Sequence, residues 1–484
     1  MNNIEKFIKE MKDREITKQE GNFSLLLFGG ILPGAFPPAI NKYYDFDFIS
    51  TVFIMKEKYG GAFFDMQSYT KTTKETFYKF LKEKNHSNIA EIQDFKEIWK
   101  YIDILYERNS VIELKKLSLV KLENLIKESF SLLQKLVAST IFVEALDENL
   151  IKELFEHIKG KKDFDRFFEI GSMVNFESFA LRIDDLLLRS NDLENMYDVQ
   201  YILCDYFIAP TLKETENKIS ELIFKQGGVE KIKEDKDKII KEINKSRNKI
   251  EQFKQELSQN EKVLLEFMQS AMYIRDIRKE PLQKIMTIIS NAMREYFERR
   301  NIPVEDIVYA GTYDFSSGIY KQDDYPEEIK RRENGVVLYI NNNGGIFEND
   351  DIDMIRNKIY DLFIKNHKNE YHENQLEIKG NVGSKGTIEA RVRVVLNEKD
   401  FEKFKKGEVL VTSMTRPEFV PLMKKASAIV TDEGGITCHA AIISRELKLS
   451  CITGTKFATQ ILNDGDLVEV DADNGVVRII KKVK

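Results

Sequence analysis

His439 stands in the setting best suited to chemistry in this chain. It follows the glycine pair Gly434-Gly435 and precedes a run of small and apolar residues that continues to Arg445. The pattern predicts the end of a strand, a glycine turn and then a helix whose first turn contains the histidine. Unpaired backbone N–H groups and the positive end of the helix dipole meet at such a position, which favours a bound phosphate group. No comparable setting surrounds the other four histidines, which are His86, His157, His367 and His372.

The imidazole of His439 is a suitable nucleophile for phosphoryl transfer. Its ordinary pKa is about 6.5, so much of it is neutral near pH 7. Attack on a phosphate gives a phosphoramidate, a covalent intermediate that divides one transfer into two steps. Gly434 and Gly435 let the backbone approach the phosphate without a Cβ, and Thr437 offers a hydroxyl donor and a helix cap. Arg445 offers a bidentate phosphate contact, although it lies more than one helical turn beyond the histidine, so a surface salt bridge is the alternative.

Two nearby groups also admit a chemical interpretation. Cys438 is either a reactive thiol, since a helix start lowers a thiol pKa, or a small residue that faces the sheet, and we favour the second. We interpret Asp464-Gly465-Asp466 as a turn before a final hairpin rather than as metal ligands, and we predict no metal site on this chain.

A compact α/β domain over residues 376–484 is predicted to hold this histidine. Short β-branched runs alternate with helical patterns at 417–426 and 438–447. The last two strands read as a hairpin that turns at Asp473-Asn474-Gly475. The predicted strands are 387–395, 409–412, 428–431, 450–452, 467–470 and 476–480.

The remainder of the chain is predicted to be mostly helical. Residues 70–215 have helical spacing of apolar residues, with Ser118 as a helix N-cap. Residues 212–300 are charge-rich and predicted to be helical, and the alternation of Lys and Glu with apolar residues over 232–260 predicts a long solvated helix or helical hairpin, with the turn at Gly227-Gly228. Residues 350–366 predict one more helix, and residues 312–347 are mixed and loop-rich. Residues 22–67 are the least helical, and their glycines and prolines indicate a structural turn rather than a phosphate loop.

The predicted fold class is therefore a multidomain chain with a mostly α-helical N-terminal region and a C-terminal α/β domain. Four segments are expected along the chain. They are an N-terminal region (1–211), long charged helices with a connector (212–365), a polar hinge linker (366–375) and the α/β domain (376–484).

Composition limits the classes of partner. The 484 residues carry a formal net charge of −6, which gives no electrostatic argument for nucleic acid. The three cysteines are scattered and predict neither a disulfide framework nor a zinc site. No apolar run approaches the roughly twenty residues of a membrane span, and no signal peptide is evident at the N-terminus. A cytoplasmic protein without nucleic-acid or membrane partners is expected.

Residues 376–484 resemble the phosphohistidine, or swivelling, domain of phosphoenolpyruvate-utilising enzymes. That family includes phosphoenolpyruvate synthase, pyruvate phosphate dikinase, rifampin phosphotransferase and phenylphosphate synthase. The long ordered match outweighs the simpler interpretation of an isolated GGxxxH pattern, an inert histidine at an ordinary helix start. One departure is Ser450, where the family usually has proline. The matching residues are Thr415-Arg416-Pro417-Glu418, Pro421-Leu422, 426–431, 434–442, 444–447, 451–455 and 464–466.

The resemblance implies a phosphotransferase in which His439 carries a phosphoryl group from an ATP site to a small-molecule acceptor, such as pyruvate or a hydroxyl compound. Mg²⁺ and ATP are expected to be bound mainly by a partner domain. A weaker likeness extends upstream, where Arg275, Arg278, Lys279 and then 304–309 match relatives, so that residues 70–310 are a candidate acceptor-binding region. The three cationic residues either contact a phosphate or form a solvated helix face, and both interpretations stay open.

Two usual parts of the family are not found in the sequence. We expect neither an ATP-grasp domain nor a barrel domain for phosphoenolpyruvate on this chain. The expectation is a subunit that needs an ATP-grasp partner in trans, an arrangement similar to the split phenylphosphate synthase. The alternative is a non-catalytic or regulatory scaffold that contains a phosphohistidine domain. Neither the acceptor nor the phosphoryl donor follows from the sequence.

Overall fold

The computed structural model describes most of the chain. The described residues are 3–12, 16–22, 42–43, 51–56, 59–83, 90–158, 164–189, 196–204, 208–341, 344–348, 352–366, 376–396, 398–415, 419–435 and 438–483. The predicted glycine-proline turn after residue 28 and nearly all of the predicted hinge, from residue 367 to 375, lie outside these ranges.

Helices dominate the first three quarters of the described chain. The α-helices are α1 (Asn3–Met11), α2 (Met66–Glu83), α3 (Ala90–Arg108), α4 (Val111–Lys116), α5 (Leu119–Thr140), α6 (Glu148–Ile158), α7 (Phe164–Gly171), α8 (Phe179–Arg189), α9 (Tyr197–Gln200), α10 (Leu212–Lys225), α11 (Val229–Lys254), α12 (Gln259–Ile277), α13 (Lys279–Arg299), α14 (Thr312–Ser317), α15 (Tyr325–Glu333), α16 (Ile352–Asn366), α17 (Val420–Met423), α18 (His439–Leu447) and α19 (Ala458–Ile461). Short 3₁₀ helices cover Ile141–Val143, Tyr201–Leu203, Val304–Tyr309, Ile319–Lys321 and Glu398–Lys403.

Strands occur near both ends of the chain. They are β1 (Ile16–Asn22), β2 (Thr51–Lys56), β3 (Tyr59–Asp65), β4 (Val336–Asn341), β5 (Gly344–Glu348), β6 (Glu377–Lys379), β7 (Asn381–Ser384), β8 (Thr387–Val394), β9 (Val409–Thr412), β10 (Ala428–Thr431), β11 (Ser450–Thr453), β12 (Leu467–Asp471) and β13 (Val476–Lys481). The strands predicted in the C-terminal domain are confirmed, as is the final hairpin, whose turn places Gly475 at φ +68°.

The chain forms two compact units, each assembled from separate segments. The first unit contains residues 1–145, 181–232 and 273–366, and the second contains residues 146–180, 233–272 and 367–484. The second unit thus combines the predicted α/β domain with two helical segments from earlier in the chain. The four predicted domain segments stay a prediction.

The core of the first unit is a group of packed helices. α5 packs against α13 and α3, and α3 also contacts α13. The hydroxyl of Ser118 accepts a hydrogen bond from the N–H of Lys121 (3.3 Å), which confirms the predicted N-cap of α5. Apolar residues at three- and four-residue steps are buried along α5, beginning with Leu122, Leu125 and Ile126. Helical periodicity predicted α5, whereas α13 was predicted only as part of the charge-rich helical stretch 212–300, and the structure buries its apolar face in this core.

A buried ion pair fixes the chain that follows α13. Arg332 donates two hydrogen bonds to the carboxylate of Asp314, each 2.9 Å long, and a third to the carbonyl of Tyr309 (3.0 Å). Both charged side chains are almost fully buried, at 3% and 0% exposure. The paired geometry satisfies the buried charges and ties the 3₁₀ helix Val304–Tyr309 to α14 and α15.

The first unit also contains an antiparallel sheet of five described strands, in the order β1-β3-β2-β4-β5. β2 pairs with β4 in a register that sets Val52 opposite Tyr339, across nearly three hundred residues of sequence. α1 contacts β2, and α16 contacts β1 and β2. The sequence analysis predicted only a poorly helical stretch and a loop-rich stretch here. The sheet was missed because its central pairing joins distant segments, and local patterns do not show such pairing.

The second unit is built on a sheet of eight described strands, in the order β6-β13-β12-β8-β9-β10-β11-β7. β8, β9, β10 and β11 run parallel to one another, whereas the flanking strands pair antiparallel. All residues of β9 and β10 are buried, as expected for central parallel strands covered on both faces. The parallel core brings the carboxyl ends of β9, β10 and β11 to one edge.

Helical segments 146–180 and 233–272 complete the second unit. Arg166 pairs with Glu256 (2.7 Å), and Lys249 pairs with Glu169 (3.6 Å). Beneath these pairs the ring of Phe167 meets that of Phe253 at 6.2 Å. α11 is largely solvent-facing, as predicted, and it is preceded by the predicted turn at Gly227-Gly228, where φ is +91° and +90°.

Candidate phosphohistidine site

The candidate site lies where three parallel strands end. The chain leaves β9 into Ser413 and Thr415, leaves β10 into the Gly434 turn, and leaves β11 into Gly454. Loops at the carboxyl edge of a parallel sheet are the usual position of ligand sites in α/β folds. α18 begins at this edge with His439 as its first residue and Cys438 as its cap. The predicted strand–turn–helix arrangement is confirmed.

Thr415 fixes the ring of His439. Its hydroxyl oxygen lies 2.8 Å from Nδ1 of the imidazole, and the threonine itself is only 8% exposed. The histidine is half-buried. A hydrogen bond at one ring nitrogen fixes the orientation of an imidazole and engages that nitrogen. Thr415 belongs to the matched sequence motif, but it was not among the predicted site residues because 24 positions separate it from the histidine.

The two glycines of the turn have different structural requirements. Gly434 has φ +99°, and a Cβ placed there would lie 2.8 Å from both Cβ and Sγ of Cys438. Gly435 has an ordinary backbone, and its nearest neighbour to an added Cβ would be Cβ of Asp147 at 3.7 Å. Only Gly434 therefore has to be glycine for the turn to form. Packing within the chain leaves room for a side chain at Gly435.

Asp432 links the start of the turn to neighbouring segments of the second unit by hydrogen bonds. This carboxylate is 3% exposed and accepts hydrogen bonds from the N–H of Thr459 (3.0 Å) and the hydroxyls of Thr459 and Thr455. The backbone of Asp432 joins the end of β9 to a later loop, because its N–H donates to the carbonyl of Thr412 and its carbonyl accepts from the N–H of Lys456. The sequence analysis did not single out Asp432. Its partners come from a later loop that only the tertiary structure brings near.

Arg445 is directed at backbone carbonyls. Its Nε donates to the carbonyl of Ala441 (3.1 Å) and its Nη1 to the carbonyl of Ser172 (2.7 Å). Burial lowers the pKa of this guanidinium. The contact with Ser172 attaches α18 to the segment after α7, within the second unit. The predicted phosphate contact of Arg445 stays a prediction, and so does the role of Thr437, which lies outside the described residues.

The cysteines of the second unit are free thiols. Cys438 is half-buried and packs against a core cluster that includes Leu410, Ile443 and Cys451. Burial raises the pKa of Cys451 to about 12. Cys438 therefore has the packed position favoured in the sequence analysis.

The predicted acceptor-side cations belong to the first unit. Arg275 lies in the last turn of α12 and Arg278 precedes α13, and both face the carboxylate of Glu144. Lys279 donates to Asp276 (2.7 Å). All three are thus engaged in ion pairs rather than forming a plainly solvated face. Glu144 was not identified from the sequence, since it lies more than a hundred residues away.

The described residues lack two kinds of feature, a cluster of metal ligands and a single membrane-spanning helix. They contain no group of three or more His, Cys, Asp or Glu side chains placed to hold a metal ion. No single helix among them has both the length and the apolar composition of a membrane span. The helical segments Leu119–Val143 and Glu148–Ile158 meet that test only when they are joined as a bent pair.

The family model for the mobile domain of phosphoenolpyruvate-utilising enzymes matches residues 404–475. The match includes Thr415, the glycine turn, His439 and the loop that carries Thr455. Residues 404–475 are a mobile domain of this family. The resemblance proposed from the sequence is confirmed for this part of the chain.

Relatives share the mobile domain at high identity. A probable phosphoenolpyruvate synthase of Archaeoglobus fulgidus is 50% identical over 113 residues, which is 23% of this chain and 15% of the relative. The phosphoenolpyruvate synthase of Pyrococcus furiosus is 49% identical over 108 residues, 22% of this chain and 13% of the relative. The chain thus spans about 15% or less of the length of these relatives.

Among solved structures, Thermococcus kodakaraensis aconitase X in its holo form covers 22% of this chain and 98% of that chain. The sequence identity is 21% and the TM-score is 0.18. A likeness of this size carries no argument about fold or activity.

Proposed function

We propose that this chain is a phosphotransferase subunit that carries a phosphoryl group on Nε2 of His439. The observation that carries the proposal is the 2.8 Å hydrogen bond between Thr415 Oγ1 and Nδ1 of the histidine, inside a mobile domain of phosphoenolpyruvate-utilising enzymes. Relatives that share this domain are named phosphoenolpyruvate synthases. With Nδ1 engaged by Thr415, the second ring nitrogen is the one we assign to chemistry.

The first step is a displacement at phosphorus. The reactive tautomer has its proton on Nδ1, which donates to Thr415 Oγ1, and its lone pair on Nε2. Nε2 attacks the phosphorus, an N–P bond forms, and the P–O bond to the leaving group breaks with its electron pair. In the second step an acceptor oxygen attacks the same phosphorus, the N–P bond breaks, and its electron pair returns to Nε2. The acceptor proton passes to solvent or to a base on the acceptor side.

Other residues of the turn would support the phosphoryl group. α18 contains nine residues, so its amino end offers unpaired N–H groups and a positive dipole at His439. A small residue at Gly435 would let the backbone approach the phosphoryl oxygens, which gives that glycine a function that folding does not require. Thr437 and Arg445 keep their proposed roles as a hydroxyl donor and a guanidinium donor.

The donor and acceptor sites are proposed to lie on different parts of the assembly. ATP and Mg²⁺ would be bound by an ATP-grasp subunit in trans, and no step is assigned to a metal ion on this chain. The acceptor would be a small molecule, such as pyruvate or a hydroxyl compound, bound by the helical region that contains Arg275, Arg278 and Lys279. Paired guanidinium groups suit the recognition of phosphoryl oxygens.

The chain alone provides a direct test. Treatment with potassium phosphoramidate, a small-molecule phosphoryl donor, is expected to give a phosphohistidine that ³¹P NMR assigns to Nε2 and peptide mass spectrometry assigns to His439. The label should be acid-labile and alkali-stable. His439→Ala retains the other four histidines and should lose this signal. The matched enzymatic experiment combines the chain with a candidate ATP-grasp subunit and ATP labelled at each phosphorus in turn.

Two outcomes would contradict the proposal. Labelling spread over several histidines, with no preference for His439, would show that the site does not activate this imidazole. Labelling of His439 by phosphoramidate that no ATP-grasp subunit reproduces would favour a regulatory scaffold over a phosphotransferase.

A further inference from the structure

Glu144 places a carboxylate between two guanidinium groups of the first unit. It follows the 3₁₀ helix Ile141–Val143, and its backbone N–H donates to the carbonyl of Ile141 (3.1 Å). Its Oε1 pairs closely with Nη2 of Arg278, and its Oε2 lies 4.0 Å from Nη2 of Arg275. Each carboxylate oxygen thus faces a different arginine. The two guanidinium groups are spaced to receive two oxygens of one anion.

Arg278 is supported independently of Glu144. Nη1 of Arg278 donates to the hydroxyl of Thr140 (3.2 Å) and lies 3.4 Å from the carbonyl of the same residue. That contact holds the guanidinium in place whether or not the carboxylate is present. The side chains of Arg275, Arg278 and Glu144 are 20%, 19% and 31% exposed, so an anion can reach them from solvent.

The local charge balance keeps Glu144 ionised. Burial raises the pKa of this carboxyl, but the positive charges of Arg278 and Arg275 outweigh that effect and leave the pKa below its ordinary value. At neutral pH the arginine pair is therefore occupied by a carboxylate. A phosphate group carries more charge than a carboxylate and presents more acceptor oxygens, so it competes well for the same two guanidinium groups.

We propose that Arg275 and Arg278 form a binding site for a phosphate group, and that Glu144 is a built-in competitor which occupies this site until a phosphate-bearing ligand displaces it. The inference deepens the proposed function, on which its biological role depends, by adding a gate to the acceptor side. When the ligand displaces Glu144, residues around 141–144 would be released in the same step. If Glu144 served only to stabilise the fold, a phosphate group would not compete with it for the two arginines.

The test measures binding of inorganic phosphate to the full chain by calorimetry at fixed, low ionic strength. Glu144→Gln retains the shape of the side chain and removes its charge, and it is expected to raise phosphate affinity about tenfold, equivalent to roughly 1.4 kcal/mol. Adding Arg275→Gln to that variant should remove the gain. Glu295→Gln is the matched control, because Glu295 pairs with Arg299 (2.6 Å) in the same unit but outside the proposed site. Its phosphate affinity should equal that of the unmodified chain.

An unchanged or weaker phosphate affinity in folded Glu144→Gln would overturn the inference. If that variant fails to fold, Arg275→Lys in the otherwise unmodified chain takes over the test. It retains the charge but loses the guanidinium fork, so phosphate affinity must fall, and unchanged affinity would contradict the proposal. The proposed site does not include His439, so Glu144→Gln should raise phosphate affinity by the same factor in a His439→Ala background, which cannot form phosphohistidine at that position. Failure of this inference is thereby separated from failure of phosphohistidine formation.

Discussion

At the scale of single residues, Thr415 engages Nδ1 of His439 and, under the proposed function, leaves Nε2 for the reaction. The hydroxyl lies 2.8 Å from Nδ1 and is largely shielded from solvent, so water competes poorly for the same nitrogen. Thr415 is a positioning residue, because it acts through the orientation of the imidazole. Its effect should appear in the isomer of phosphohistidine formed, and a merely structural role would leave that isomer unchanged.

Thr415→Val tests this role. Valine has the shape of threonine without the hydroxyl, so the ring loses its anchor while the fold is retained. We expect phosphorylation of His439 by phosphoramidate to slow about tenfold and to give a mixture of Nδ1 and Nε2 isomers, a loss equivalent to roughly 1.4 kcal/mol and typical of one hydrogen bond. ³¹P NMR distinguishes the isomers. Thr415→Ser retains the hydroxyl and should retain the single isomer, and a single Nε2 product in Thr415→Val would refute the role.

At the scale of elements, the turn between β10 and α18 combines two glycines with separate purposes. Gly434 is required by backbone geometry, since φ is +99° and a Cβ would clash with Cys438. Gly435 meets no such restriction. The sequence analysis treated them as equivalent, because a glycine pair in a sequence does not reveal which member has a positive φ.

Paired alanine substitutions separate folding from chemistry in this turn. Gly434→Ala should destabilise the second unit by about 1–3 kcal/mol, through the left-handed backbone and the contact with Cys438. Gly435→Ala should change the free energy of unfolding little and should lower the rate of phosphorylation of His439. Denaturant titration and phosphoramidate labelling measure the two effects. Equal destabilisation by both substitutions would contradict this division.

Arg445 makes a structural contact in addition to the phosphate contact predicted for it. The guanidinium spans from α18 to the carbonyl of Ser172, outside the segment matched by the family model. The mobile domain of this chain therefore belongs to a unit that includes residues 146–180. The helical pattern over residues 70–215 predicts helices in this segment, but it does not predict which unit each helix joins.

At the scale of the whole molecule, each unit contains a fully buried cysteine. Cys204 lies in the first unit and Cys451 in the second, and both are 0% exposed. Burial raises the pKa of the Cys451 thiol to about 12, so its reactive thiolate stays rare at pH 8. Each of these thiols becomes available only when its own unit opens.

Thiol labelling should therefore report the unfolding of each unit. Under native conditions at pH 8, iodoacetamide is expected to modify the half-buried Cys438 first and to leave Cys204 and Cys451 largely unmodified. As denaturant increases, Cys204 should become reactive at the unfolding midpoint of the first unit and Cys451 at the unfolding midpoint of the second. Peptide mass spectrometry measures all three sites in one sample. Rapid native labelling of Cys451 would contradict its burial.

The sequence by itself determined the local features of this protein. Helical periodicity gave α5 and its Ser118 cap, alternating β-branched runs gave the C-terminal strands, and an ordered motif gave the mobile domain and His439. These signals are local because hydrogen bonds within a helix, turn chemistry and short runs of motif residues all depend on near neighbours.

Only the tertiary structure decided the features that join distant segments. The pairing of β2 with β4, the hydrogen bond from Thr415 to His439 and the carboxylate of Glu144 between two arginines all connect residues far apart in sequence. Such contacts depend on how whole elements pack, and the energy of packing is not encoded at any one position. The sequence thus pointed to the histidine that we propose to be phosphorylated, while packing determined which of its ring nitrogens Thr415 engages and placed Glu144 between Arg275 and Arg278.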